Sequence, residues 1–284
     1  MSAAALTGLP RAVLRLHRWA LLAWAAFVAC LIGWLVWLTE VTAVGARADD
    51  LSCHNAPACN ISRLLAYTEQ VGWIGTLTCY SFLAVAAFAG GALIGRELES
   101  GTAQLAWTQG VTPTRWLTAK LALPALAVTA GGTALVLVFR WGWAAHRDLM
   151  GDDWTFADVF VARGPLTVAY GLCALALGAL AALLLRRTLA ALGTAFAAMW
   201  LVNFLLERYR ADLWPAVTLT SPKRLVLPGG AWQVNRGRNA DGHFAVYHPE
   251  SHYWPLHLVE TGIVLTLAAA ATIAAYTVLR RRTA

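Results

Sequence analysis

The sequence predicts an all-α membrane protein with six transmembrane helices, both termini in the cytoplasm and a long extracytoplasmic loop before the last helix. Of its 284 residues, 59% are hydrophobic and only 13% are charged, about half the charge of a typical soluble domain. The mean hydropathy is +0.57. The charged residues are spaced so widely that six apolar stretches of roughly 20 residues lie between them, and that length crosses a bilayer.

Each predicted span is a gap between neighbouring charged residues. The gaps are rich in Leu, Ala and Val and lack the two-residue alternation of a barrel strand, so each is predicted to be a helix. Because the gaps hold no charge, energy coupling by a carboxylate inside the membrane is not expected; Glu207 and Glu260 lie only near span edges. A single transmembrane domain is predicted over 1–284, with spans at 19–39, 70–95, 121–139, 164–185, 188–206 and 261–279.

The connections between the spans predict the orientation of the chain. With the N-terminus inside, the inner segments hold 11 Lys and Arg against two acids, a net charge of +9. The outer segments hold 11 cations and 13 acids, a net charge of −2. This is the inside-positive bias of membrane proteins. The total of +7 therefore indicates contact with membrane lipid, and no nucleic-acid partner is expected.

Two cysteines stand apart in the first outer loop. Cys53 and Cys59 flank a short segment that contains a proline, and an oxidising exterior permits a local disulfide there. The alternative is a metal site made by Cys53, His54 and Cys59, which lacks a fourth ligand and the usual spacing. The disulfide is the favoured interpretation.

The longest polar segment is the outer loop at 207–256. A metal site there would need two histidines on one helical face, yet Pro249 and Pro255 break any regular helix. The segment is therefore predicted to be a small folded cap with aromatic side chains at the membrane interface, and no metal is assigned to the chain. Its histidines are His243, His248, His252 and His257.

Enzyme motifs are absent from the sequence. There is no His-Glu-x-x-His, no Gly-x-Ser-x-Gly and no P-loop, because neither Lys120 nor Lys223 follows a glycine. We therefore assign no catalytic residue and expect no cofactor bound by this chain.

The connection at 96–117 is the most informative segment. It holds Glu97 and Glu99, the two acids of an otherwise basic inner surface. A Ser-Gly-Thr cluster at 100–102 predicts a helix cap, and Gly110 and Pro113 end the short helix that follows. Trp107 sits between polar residues in that helix, which favours an exposed aromatic side chain that docks on a partner.

This segment resembles the one after the second helix in actinobacterial ABC-2 type transporter permeases. The pattern Arg-Glu-Leu-Glu-Ser-Gly-Thr is followed by Leu-Ala-Trp-Thr-Gln and then by Thr-Arg-Trp-Leu and Lys120. The resemblance implies a permease that forms a homodimer or heterodimer and pairs with a separate ATP-binding cassette ATPase, which binds the ATP and Mg²⁺. It also implies an interfacial connecting helix at the N-terminus. The last outer loop departs from the family, because the re-entrant helices expected there would need apolar runs and the stretch from Arg236 to His252 is polar. The residues that the resemblance assigns to ATPase coupling are Arg96, Glu97, Glu99, Ser100, Gly101, Thr102, Trp107, Thr108, Gln109 and Arg115.

Two functions follow as hypotheses. The first is the permease subunit of an ATP-driven exporter in a bacterial cell membrane, since 20 Arg against two Lys and Ala-rich spans are typical of a GC-rich bacterial gene. The alternative is a membrane sensor or anchor that does not transport and whose outer loop binds a ligand or a partner. Dependence on a cassette ATPase would separate the two.

Overall fold

The computed structural model describes residues 4–54, 59–150, 153–239 and 242–283. Six described helices are long and apolar enough to cross a membrane, which confirms the number of spans. Five of them are longer than predicted because the helices continue past the charged residues that bounded the gaps, whereas Leu166–Leu185, with 20 residues, stays within its predicted span. The six are Leu14–Cys53, Ser62–Glu99, Pro113–Ala145, Leu166–Leu185, Thr188–Leu213 and Glu250–Thr283.

The first two spans form a long helical hairpin. Helix α1 (Ala4–Trp37) runs through a π-helical segment (Leu38–Thr42) into α2 (Ala43–His54), and α3 (Ser62–Phe88) continues through a second π-helical segment (Ala89–Gly95). Forty helical residues measure about 60 Å, twice the thickness of the hydrocarbon layer. The backbone is helical without a break from Ala4 to His54, so within the described residues no separate connecting helix precedes the first span.

A disulfide and an ion pair close this hairpin. Cys53 and Cys59 are bonded, and the Asp49 carboxylate accepts hydrogen bonds from the Arg63 side chain at 2.8 Å and from the Arg63 backbone at 2.9 Å. The side chain of His54, named in the metal alternative, lies outside what the structure describes. The first connection is thus mostly helix, not loop.

The remaining helices follow in antiparallel order. Helices α4 (Arg96–Glu99) and α5 (Thr102–Thr108) lead to α6 (Pro113–Ala145). A 3₁₀ turn (Arg147–Leu149) and α7 (Ala157–Ala162) lead to α8 (Leu166–Leu185), and α9 (Thr188–Tyr209) ends in a second 3₁₀ turn (Arg210–Leu213). After the outer segment, a third 3₁₀ turn (Glu250–His252) leads into α10 (Tyr253–Thr283).

Helix α8 is the centre of the bundle. It packs against α3, α6, α9 and α10, and 14 of its 20 residues are buried. Small residues permit this packing: a Cβ atom on Gly178 would lie 2.6 Å from the Ala89 Cβ and 2.8 Å from the Gly90 nitrogen. Close approach of backbones at glycine is a common basis of helix association in membranes.

The predicted cap is a three-stranded antiparallel sheet. Strands β1 (Val217–Ser221), β2 (Trp232–Asn239) and β3 (Gly242–His248) are arranged in the order β1-β3-β2. Between the two 3₁₀ turns that flank it, the described part of this segment forms strands and no re-entrant helix, in line with its polar sequence from Arg236 to His252. Trp154 attaches the sheet to the bundle, since its fully buried indole donates a hydrogen bond to the Gly230 carbonyl at 2.7 Å. We call this end of the molecule the sheet end.

A buried ion pair joins three spans at the sheet end. The Arg210 Nε donates to Glu260 Oε2 at 2.7 Å, and Arg210 Nη2 donates to Oε1 at 3.1 Å. The Tyr170 hydroxyl donates to the same Oε1 at 2.8 Å. Glu260 is fully buried, although it lies near the edge of a predicted span. Both oxygens of this carboxylate accept hydrogen bonds from side chains of the same chain.

Breaking this pair should destabilise the protein strongly. Glu260→Gln leaves the Arg210 guanidinium buried without a counter-ion, which costs about 3–5 kcal/mol of the free energy of unfolding. The additional replacement Arg210→Met should recover most of that loss. The measurement is denaturation of the purified protein in detergent micelles.

The exposed pair Arg47 and Asp148, joined at 3.0 Å, provides the control. Asp148→Asn should change the free energy of unfolding by no more than about 1 kcal/mol. Equal effects of Glu260→Gln and Asp148→Asn would contradict this account of the buried pair.

Candidate functional site

The segment at 96–117 forms a helical hairpin at the end of the bundle opposite the sheet. Helix α4 extends the second span, and α5 is set at an angle to it by Gly101, whose φ of 76° is in the left-handed region that glycine tolerates. Gly110, with a φ of 90°, makes the second turn. The hydroxyl of Thr112 then accepts a hydrogen bond from the Arg115 backbone at 3.4 Å, and Pro113 starts α6. We call this the loop end.

Glu97 fixes the hairpin to the bundle. Its Oε1 accepts a hydrogen bond from Lys120 Nζ at 2.5 Å, and its Oε2 accepts one from Trp116 Nε1 at 3.0 Å. Lys120 Nζ also lies 2.9 Å from His17 Nε2. Lys120 is only 3% exposed, so water cannot replace its partners. His17, Glu97 and Lys120 therefore link the first span, α4 and the third span.

Glu99 connects the hairpin to a fourth element. Its Oε2 accepts the backbone N–H of Thr188 at 2.9 Å, which satisfies one of the free amides at the start of α9. A carboxylate is also favoured there by the helix dipole. Both acids of the hairpin therefore bind this chain itself. These contacts orient the loop on the bundle.

Trp107 does not project from the hairpin. Its ring is half-buried and lies edge-to-face on Trp116 with centroids 5.7 Å apart. The expectation that this side chain is exposed is therefore wrong, whereas its role in docking stays a prediction. The helical period explains the difference, because Trp107 falls four residues after the fully buried Ala103 and shares its face of α5.

The opposite face of α5 is open. Leu105 is 59% exposed and is flanked by exposed polar side chains; we call this set the α5 face, made of Gln104, Leu105, Thr108 and Gln109. Sequence reasoning named Thr108 and Gln109 but missed Leu105. Counting four residues back from Gln109 would have found it.

The other predicted site residues support the turn between α4 and α5. The Ser100 hydroxyl lies 3.0 Å from that of Thr102, which donates to the Glu97 carbonyl at 3.3 Å. Arg96 is exposed, whereas Arg115 is half-buried. Ser100 and Thr102 therefore shape the turn.

An apolar groove of about 550 Å³ lies within the bundle, between α1, α3 and α6. Its wall includes Trp24, Phe27, Tyr80 and Phe88. The Trp24 indole is held in place by a 2.9 Å hydrogen bond to the Ala127 carbonyl. Such a groove accommodates an apolar chain and holds no charged group.

Six membrane-spanning helices with an anchored hairpin at one end define a multi-pass membrane protein. The family described as ABC-2 membrane transporter related matches residues 25–210, well over half of the chain. The chain belongs to this family and is an ABC-2 type permease, a membrane transport component. The match includes the hairpin and ends before the sheet. Neither a curated protein nor a solved structure matches the chain.

Removal of the Glu97 charge should loosen the hairpin. Glu97→Gln leaves Lys120 buried without a counter-ion, at a cost of about 3–5 kcal/mol, so local opening should relieve the strain. We expect amide hydrogen exchange across 98–109 to accelerate at least about tenfold. Mass spectrometry of the protein in detergent measures this.

The neighbouring exposed cation provides the matched control. Arg96→Gln also removes one charge but should leave the exchange of 98–109 as in the unchanged protein. Equal exchange in the two variants would contradict the anchoring role of Glu97.

Proposed function

We propose that this chain is the membrane subunit of an ATP-driven exporter that is coupled through its α5 face to a separate ATP-binding cassette ATPase. ATP and Mg²⁺ bind to that partner. The observation that carries the proposal is the pairing of a free apolar contact, Leu105, with a hairpin fixed from inside by Glu97 and Glu99. A hairpin that is fixed to the bundle and keeps its α5 face open can transmit a movement of the ATPase to the spans.

In this proposal, a movement of the ATPase would reach the membrane helices through the contacts of the hairpin. Through Lys120 and His17, Glu97 links α4 to the third and first spans. Through the Thr188 amide, Glu99 links it to the start of the fifth span. Movement of α5 by the ATPase would thus act on four spans together. Rigid shifts of packed helices are a common means of switching in membrane transporters.

The proposed orientation places the loop end in the cytoplasm and the sheet end outside. The +9 charge of the predicted inner segments supports it, as does the need for the ATPase to reach cytoplasmic ATP. The membrane is a bacterial plasma membrane, and two such permeases, identical or different, form the transport unit. The groove beside Trp24 and Phe27 favours an apolar or amphipathic cargo.

Substitution on the α5 face should weaken docking. Leu105→Asp would place a carboxylate in the apolar contact with the ATPase, so we expect the dissociation constant to rise about tenfold or more, and ATP hydrolysis stimulated by the permease to fall with it. Binding is measured with the purified ATPase in detergent, and hydrolysis in liposomes. Trp107→Ala should loosen α5 without removing a docking contact.

Val226→Asp is the matched control, because Val226 is 87% exposed at the opposite end. It should leave both binding and hydrolysis unchanged. Unchanged binding and hydrolysis in Leu105→Asp would remove the coupling role of the α5 face. That result would favour a sensor or anchor that acts through its sheet, which lies outside the matched family region.

The orientation is tested by labelling of single cysteines. The free Cys30, Cys79 and Cys173 are replaced and the bonded pair is kept; new cysteines are then placed at Gln109 and Val226, which are both exposed. An impermeant maleimide should label Val226→Cys on intact cells, and Gln109→Cys only after permeabilisation. Labelling of Gln109→Cys on intact cells would refute the orientation.

A further inference from the structure

Two histidines of the outer segment meet where the sheet joins α10. His248 is the last residue of β3, and His252 is the last residue of the 3₁₀ turn that follows it. The Nδ1 atoms of the two rings are 3.0 Å apart, and the ring centroids are 5.3 Å apart. The prolines that exclude a regular helix here do not keep the two rings apart, because the turn brings them together.

The second nitrogen of His248 determines where its proton lies. Its Nε2 is 3.0 Å from the Ala211 carbonyl oxygen, which can only accept a hydrogen bond. Nε2 therefore carries the hydrogen, and the Nδ1 of the neutral ring presents a lone pair to His252. His248 is fully buried, and burial lowers its pKa, so the neutral ring is favoured.

We propose that His248 and His252 bind one divalent transition-metal ion, Zn²⁺ or Cu²⁺, through their Nδ1 atoms. Imidazole nitrogens lie about 2.0–2.1 Å from such an ion, so two nitrogens on adjacent positions of one ion are separated by about 3 Å. The hydrogen bond from His248 Nε2 to a carbonyl is the usual outer partner of a metal-binding imidazole. Both ions favour imidazole ligands.

The surroundings suit a site with two protein ligands and water. Among the described residues, no three side chains of His, Cys, Asp or Glu converge as a metal site. His252 is only half-buried, so water can occupy the remaining positions. Asp212 is the residue after Ala211 in the chain, so a negative charge follows directly on the carbonyl that His248 binds. A bound ion would join β3, the start of α10 and, through Ala211, the end of α9.

The site is tested by metal titration of the purified protein in detergent, without a polyhistidine tag. Copper(II) chloride is followed by electron paramagnetic resonance, and zinc chloride by competition with a coloured chelator. We expect about one ion per chain, with imidazole nitrogens in the copper spectrum. His252→Ala should lower the affinity by at least the roughly 10–100-fold that loss of an outer partner costs.

Two further variants make the result specific. His248→Ala should also lose the ion, and His243→Ala, on the same strand but away from the pair, should bind as the unchanged protein does. His252→Ala is decisive because its half-exposed side chain can be removed without opening the core, and a thermal melt checks its folding. Equal binding by folded His252→Ala, or no binding by the unchanged protein, would overturn the proposal and leave an N–H···N hydrogen bond between the rings.

Discussion

A charge removed from water inside a membrane protein must be paired, and this chain meets that requirement at both ends of its bundle. At the loop end, Lys120 is buried against Glu97 and His17. At the sheet end, Arg210 is buried against Glu260, which also accepts from Tyr170. Loss of one partner in such a cluster is costly because the other remains buried and charged. The clusters therefore hold neighbouring helices together at each end of the bundle.

The two clusters lie at opposite ends of the bundle, and the part between them is apolar. Between them, α8 packs closely on its neighbours through small residues such as Gly178, while the groove beside Trp24 remains open between α1, α3 and α6. A force applied to α5 would reach the spans through Glu97 and Glu99 without first deforming the hairpin. This arrangement suits a permease whose energy comes from a partner protein.

Much of the fold could be predicted from the sequence, because the hydrocarbon layer allows few solutions. Apolar gaps of about 20 residues must be helical when backbone groups need partners within the segment, and the six spans follow. The spacing of Cys53 and Cys59 indicated a bond that the structure also contains. The motif around Glu97 indicated the family to which the chain belongs.

Contacts distant in sequence could not be predicted in the same way. Lys120 follows Glu97 by 23 residues, and no local pattern joins them. Glu260 was assigned to a span edge because a gap between charges must begin at a charge, yet the edge is buried by Arg210, 50 residues away. The sheet escaped prediction because its pairing depends on the position of β1 beside β3. The position of Trp107, by contrast, could have been predicted, because the helical period places it on the same face of α5 as the buried Ala103.

The central claim is that the acids of the hairpin hold it to its own bundle while the other face of α5 meets the ATPase. A cryo-electron microscopy structure of the permease with its ATPase, without nucleotide and with ATP, tests this most directly. The account predicts that Glu97 stays on Lys120 and Glu99 on the Thr188 amide in both states, with Leu105 in a groove of the ATPase. Glu97 or Glu99 bound to a basic residue of the ATPase, with Leu105 free in solvent, would contradict it.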